Sequence, residues 1–440
     1  MSTGSTVDAD YLITNGHLLT MDDSLTEFKN GAIAFRGDKI IYVGPVESAS
    51  GIVAEYEIDA KGKFVLPGFI NGHTHIGMSL MRGLGDDLAL MDWLTKVIWP
   101  FELKMTPDDV YTASLLSIAE LLQSGVTTIN DMYFHMDSVV RAIEETGIRA
   151  ILGYGMIDLG NEQKRLAELK EERRFINSIL GRSDRIMVSV TPHAANTCSK
   201  ELLQESIALA KEYNIPIHIH LSETKGEIKA IKKETGKSPV EYLEEIGLFD
   251  AKVIAAHGVW LSESELKILS KHDVSIIHNP SSNLKLGSGI APISKLFEHE
   301  ITVGLGTDGP ASNNNQSILF EARLAALLQK GHNLNPKILP AVDALRMATS
   351  LGAKSLGLQD KIGSLEVGKQ ADIIMIDTRS AHTVPSDNPY STIIYSAWTS
   401  DVSDVFVAGQ HLIQNHKFKT INIDSVITNA KKAKERLLNI

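Results

Sequence analysis

The 440-residue chain reads as an α/β protein built on a (β/α)8 TIM-like barrel, on three observations. From residue 69 to about 360, short β-branched runs alternate with longer amphipathic ones, the pattern of repeated βα units. Eight runs qualify as strands, and eight parallel strands with intervening helices close most simply into a barrel. Metal-type side chains gather where those runs end, which is where such barrels carry their active sites.

In chain order the predicted strands cover residues 64–71, 125–132, 149–158, 185–191, 215–221, 253–257, 274–278 and 302–307. Between them, helical periodicity marks 108–124, 138–146, 199–213, 238–246, 262–271 and 318–330, with Ser138, Ser199 and Ser262 placed as N-caps. Before the barrel, the runs Tyr11–Thr14, Gly31–Phe35 and Lys39–Val43 are separated by Asn15-Gly16 and Gly37-Asp38 and read as hairpins. After it, residues 371–376 and the hairpin-like 405–413 repeat that style, and 424–438 closes the chain as an amphipathic helix.

The most informative stretch is Pro67-Gly68-Phe69-Ile70-Asn71-Gly72-His73-Thr74-His75. Side chains in a strand repeat with period two, so His73 and His75 project to one face and can share a metal ion. Spacing alone is weak evidence, since His218 and His220 repeat it. The remaining parts of one site stand at other strand ends: His220 and Glu223 after the fifth, His257 after the sixth, Asp308 after the eighth.

Together with Asn279-Pro280-Ser281-Ser282-Asn283-Leu284-Lys285-Leu286-Gly287, this set resembles the amidohydrolase superfamily, and within it the 5′-methylthioadenosine/S-adenosylhomocysteine deaminases. The resemblance implies that His73, His75, His220 and Asp308 bind one Zn²⁺, or another divalent ion such as Fe²⁺. A single ion is expected because Thr191-Pro192-His193 after the fourth strand offers no lysine to bridge two. It further implies that Glu223 protonates purine N1, that Asp308 takes a proton from the attacking water, and that His257 hydrogen-bonds the attacking oxygen. Trp93, Glu102 and His193 are implied as nucleoside contacts, with Glu102 accepting from both ribose hydroxyls. Where relatives carry an arginine for the S-adenosylhomocysteine carboxylate, this sequence has Tyr154, which loses that charge-assisted contact, and Arg165 matches a second arginine of the relatives, so 5′-methylthioadenosine, adenosine or 5′-deoxyadenosine is expected to be preferred over S-adenosylhomocysteine. The implied layout is an N-terminal part of a small β-sandwich over 1–66, the catalytic barrel over 67–362, and the rest of the sandwich with the closing helix over 363–440.

The reaction the resemblance implies is zinc-dependent hydrolytic deamination of an adenosine-type nucleoside, 5′-methylthioadenosine and/or S-adenosylhomocysteine, to the inosine analogue plus ammonia. Two alternatives stay open: a related hydrolase acting on 5′-deoxyadenosine, guanine or an s-triazine, and an inactive barrel serving as an oligomeric scaffold. His218 reads as structural or as support for the metal set, and His278 as support or pocket lining. Gly287-Ser288-Gly289 lacks the lysine of a phosphate loop and reads as a mobile substrate loop.

Composition sets the surroundings. A formal net charge of −11 opposes nucleic-acid binding, and Lys229, Lys232, Lys233 and Lys237, interspersed with Glu227 and Glu234, read as a solvated helix face. No apolar run is long enough for a bilayer, and Met1 to Asp8 lack a secretory pattern, so a cytoplasmic homo-oligomer away from membranes is expected. The single cysteine, Cys198, excludes an internal disulfide and a thiolate metal cluster and is assigned to packing.

Overall fold

The structure, a computed structural model, describes residues 7–439; Met1 to Thr6 of the N-terminal reading lie outside it. A TIM-barrel-like ring is assembled from two parallel sheets. One contains Phe69–Thr74, Val126–Tyr133, Arg149–Met156, Ile186–Val188 and Thr191–Pro192, and the other Ile217–Leu221, Val253–His257, Ser275–His278 and Val303–Leu305. Parallel bridges Val190 to Ile217 and Thr74 to Asp308 join the sheets on both sides and close the ring. Inward-facing Ile70, Ile151, Ile254 and Ile277 pack together at its centre.

The predicted first strand is in fact two. Lys63–Pro67 pairs antiparallel with Ile373–Asp377 in an outer sheet, whereas Phe69–Thr74 enters the barrel. The chain changes sheets at Gly68, where a β-carbon would lie 2.1 Å from Thr127 Cγ2, so only glycine fits the crossing. The outer sheet has nine strands drawn from both chain ends. Asn15-Gly16 does not turn a hairpin. It sits at a register shift within the single strand Val7–Leu19, with Asn15 at φ 60° absorbing the irregularity. Gly37-Asp38 and Ala408-Gly409 do make the tight turns of their hairpins. Arg149, at the base of the third barrel strand, donates two hydrogen bonds of 2.9 and 2.8 Å to Asp372, tying barrel to outer sheet through a buried ion pair.

Ser199 and Ser262 cap the helices Lys200–Tyr213 and Glu263–Lys271 as expected. Ser138 does not cap. The helix Met136–Thr146 begins two residues earlier, behind His135 in the left-handed region, because the backbone at φ 52° already breaks the strand direction there. Cys198 is buried and packed, and no helix among the described residues is long and apolar enough to cross a membrane.

Candidate active site

At the C-terminal mouth of the barrel, one ligand-type atom from each of His73, His75, His220 and Asp308 lies within 4.8 Å of the others. Each imidazole is oriented by its second nitrogen. His75 Nδ1 donates to the Met132 carbonyl at 2.7 Å and His220 Nδ1 to the His193 carbonyl at 2.8 Å, which leaves both Nε2 lone pairs facing the centre. His73 Nδ1 meets His218 Nε2 at 2.9 Å, and His73 Nε2 is a buried nitrogen without a hydrogen-bond partner among the described residues. His218 thus holds His73 through a direct hydrogen bond.

Asp308 Oδ1 stands 3.3 Å from His73 Nε2 and 3.2 Å from His75 Nε2, while Oδ2 accepts from Ser282 Oγ at 2.6 Å and Ser312 Oγ at 3.0 Å. Burial holds His73 down to about 3, so it is the neutral imidazole a metal requires. Burial also opposes charge on His75, but the hydrogen bond and charge of Asp308 carry it up to about 9. The donor set, three nitrogens and one carboxylate with an orphaned Nε2 among them, fits a divalent cation with room for a further ligand.

Glu223 and His257 flank this set. Glu223 is buried, which raises its carboxyl above the ordinary range, and its Oε2 lies 3.8 Å from His257 Nε2. His257 Nδ1 pairs with Asn283 Oδ1 at 2.8 Å, leaving Nε2 as an acceptor toward the cavity. Ser222, His257 and Asp308 all take positive φ, at 50°, 78° and 58°, so the ends of three strands carry backbone strain where the site is built.

The cavity above the set encloses about 770 Å³ including its open mouth. Trp93, Trp99 and Glu102 come to it from the segment after the first barrel strand, and His193 from the fourth strand's end. Burial pushes Glu102 up to about 7, partly offset by a 2.8 Å hydrogen bond from the Tyr133 hydroxyl. His193, lowered to about 4 by burial, pairs through Nδ1 with Thr197 and borders the cavity.

Two expected substrate contacts fall elsewhere. Gly155, not Tyr154, lines the cavity, because period two along Arg149–Met156 turns Tyr154 outward into the helical layer beside Glu168. Arg165 lies on the outer helix Glu162–Ile179, 3.8 Å from Glu162 and 3.9 Å from Glu201, and does not border the cavity. His278 is fully buried below the mouth and is not a lining residue. Gly287-Ser288-Gly289 is fastened: Ser288 donates its N–H to the Asn283 carbonyl at 2.8 Å and is itself buried.

Glu227, read from the sequence as part of a solvated helix face, is instead buried, and its carboxylate accepts the backbone N–H groups of Ser222 at 2.9 Å and Glu223 at 2.7 Å. The capping-box spacing from Thr224 to Glu227 was the available signal. The pairing of Asn283 with His257, and of Ser282 and Ser312 with Asp308, had no local signal because it joins separate loops.

Residues 64–412 match the profile of the amidohydrolase family. The chain is 44% identical over 426 residues to a protein named 5′-deoxyadenosine deaminase from Methanosphaera stadtmanae, covering 97% of this chain and 96% of the relative. It is also 44% identical over 428 residues to a 5-methylthioadenosine/S-adenosylhomocysteine deaminase from Thermoanaerobacter pseudethanolicus, covering 97% and 99%. Among solved structures, an adenosine deaminase from Xanthomonas campestris with bound zinc superposes with a TM-score of 0.94 at 31% identity, over 99% of this chain and 100% of that one.

Proposed function

From the premise that this chain belongs to the amidohydrolase family and is a metal-dependent hydrolytic deaminase of adenosine-type compounds, we propose that it acts on adenosine derivatives with an uncharged 5′ end, such as 5′-deoxyadenosine or 5′-methylthioadenosine. The observation that carries this reading is the cavity wall. A carboxylate, Glu102, stands ready for a ribose diol, while Leu90, Leu94, Phe134 and Ile157 supply apolar surface and, among the described residues, no lysine or arginine lines the space. We read residues 67–362 as the catalytic barrel, and 1–66 with 363–440 as one outer unit.

In this reading His73, His75, His220 and Asp308 hold a zinc ion, which supplies Lewis-acid activation of water at neutral pH. Glu223, its carboxyl raised above the ordinary range by burial, serves as the acid that donates to purine N1 and makes C6 electron-poor. His257, with Nδ1–H committed to Asn283, accepts from the attacking water through Nε2 and aims its lone pair. Asp308 takes the water proton, fixed meanwhile by the Ser282 and Ser312 hydroxyls. Glu102 grips the ribose hydroxyls and the two tryptophans exclude water from the base.

The test is ammonia release from a panel of purine nucleosides, free bases and an s-triazine, with metal content measured on the same protein. Turnover of nucleosides with metal bound supports the reading. Faster turnover of guanine or the triazine, or none on any member, rejects it.

A further inference from the structure

Glu223 is mounted on a closed loop of contacts that runs through the glycine-flanked Ser288. The Ser288 hydroxyl donates to Glu223 Oε1 at 3.1 Å, and both residues are buried, at 4% and 7% exposure. Ser288 in turn is held at its carbonyl by Trp260 Nε1 at 2.7 Å and at its N–H by the Asn283 carbonyl at 2.8 Å. Trp260 and Val259 return to the start of the loop by donating their backbone N–H groups to the Ser222 carbonyl at 2.9 and 3.1 Å. The packing leaves no slack beside it. At Gly289, with φ +130°, a β-carbon would lie 3.0 Å from both Trp260 Cζ2 and Val259 Cγ1. Ser288 does not line the cavity, so its hydroxyl serves Glu223 rather than a ligand.

We propose that Ser288 is a positioning residue for the proton transfer, selecting which oxygen of Glu223 carries the proton. A carboxylic acid has one carbonyl oxygen and one hydroxyl oxygen. Donation from Ser288 makes Oε1 the acceptor, so the proton resides on Oε2, the oxygen on the side of His257. Without Ser288 the acid rotates or places its proton on either oxygen, and only part of the population is aimed at the substrate. The inference rests on the reading of Glu223 as the acid. In the step itself the Oε2–H bond breaks and N1–H forms as water adds to C6. The amino nitrogen then takes the water proton held by Asp308 and the C6–N bond breaks with its electron pair going to nitrogen, which leaves as ammonia, while the C6 hydroxyl proton returns to Glu223 as the C6=O bond forms.

The test compares the metal-loaded parent with Ser288→Ala, Ser288→Thr, Trp260→Phe and Glu223→Gln on adenosine and on 6-chloropurine riboside, whose electron-poor C6 takes up water with less help from a proton on N1. For Ser288→Ala, kcat on adenosine is expected to fall about tenfold to hundredfold with KM within about twofold and metal content unchanged. The loss on the chloropurine should be several-fold smaller, and Ser288→Thr should restore most of the adenosine rate. Trp260→Phe, which loosens Ser288 without removing it, should give a smaller loss of the same pattern and serves if Ser288→Ala does not fold. An adenosine rate within about twofold of the parent, or equal losses on both substrates, overturns the positioning role. If Glu223→Gln costs less than about tenfold on adenosine, it is the assignment of Glu223 that fails.

Discussion

His218 Nε2 lies 2.9 Å from His73 Nδ1, so the second His-x-His pair of the sequence is divided between two tasks: His220 faces the cluster and His218 orients a member of it. For His73 Nε2 to present a lone pair, its Nδ1 must be the donor and His218 Nε2 the acceptor. Replacing His218 by Leu removes that acceptor in a buried place. Metal affinity, measured by competition with a chelator, should fall about 10- to 100-fold, with His218→Gln intermediate. Affinity unchanged in His218→Leu would show that His73 needs no partner.

Much of this site was legible before the fold was known because strand ends in a barrel converge, so residues far apart in sequence are predictably close when each stands at such an end. His73, His75, His220, Glu223, His257 and Asp308 all obey that rule. Tyr154 did not, because its assignment needed strand parity to a single residue, and Gly155 next to it has no side chain to announce that it faces inward. The change of sheet at Gly68 was hidden for a similar reason: the apolar run through it is buried on both sides of the crossing, so hydrophobicity carries no mark of the boundary. Loop-to-loop supports such as Ser312 on Asp308 have no sequence period at all.

Ligand and acid should separate cleanly by mutation. His75→Ala removes one of four converging donors and is expected to abolish both metal content and turnover while the barrel still folds. Glu223→Gln keeps shape but cannot pass a proton, so metal content should persist while kcat falls by about two to four orders of magnitude. Elemental analysis and steady-state rates on the same samples decide this, and a fully loaded, fully active His75→Ala protein would reject the ligand set.

Asp131 gives a pH prediction. Its Oδ1 accepts the Ile76 N–H at 2.7 Å, its Oδ2 has no partner among the described residues, and burial raises the carboxyl to about 7. The unfolded chain ionises this group from about pH 4, the folded one only near 7, so the folded state holds the extra proton between them and stability falls as pH rises through that window. Asp131→Asn keeps the acceptor and removes the ionisation. Relative to the parent it should gain on the order of 1–4 kcal/mol between pH 5 and pH 8 in urea unfolding, toward the low end when metal is bound, since a nearby cation favours the carboxylate. A parallel pH dependence in both proteins would contradict the assignment.

Glu102 is expected to read the ribose. Its carboxylate is braced by Tyr133 and borders the cavity, and a vicinal diol can donate to it twice. Glu102→Gln should lower kcat/KM for adenosine by about 10- to 100-fold and for 2′,3′-dideoxyadenosine by much less. Equal penalties on both substrates would make Glu102 a structural residue.

The proposed preference at the 5′ position rests on what the cavity lining contains. Arg165, the one cation the sequence offered for a charged 5′ group, lies outside the lining, as does Tyr154, and among the described residues no other lysine or arginine lines the cavity. The homocysteine end of S-adenosylhomocysteine carries a carboxylate and an ammonium, each of which loses water on entering a wall formed by side chains such as Leu90, Leu94, Phe134 and Ile157. A hydrogen atom or a methylthio group at the same position instead gains from apolar contact, about 0.8 kcal/mol per buried methylene-sized group. The specificity constant should therefore be at least about tenfold higher for 5′-deoxyadenosine and 5′-methylthioadenosine than for S-adenosylhomocysteine, a difference of about 1.4 kcal/mol in transition-state binding. Phe134→Arg, which places a guanidinium at the wall, should narrow that ratio by raising the rate on S-adenosylhomocysteine selectively. If the parent enzyme already prefers S-adenosylhomocysteine by tenfold, its amino-acid end must stay in solvent at the cavity mouth, and the apolar wall would not be the determinant.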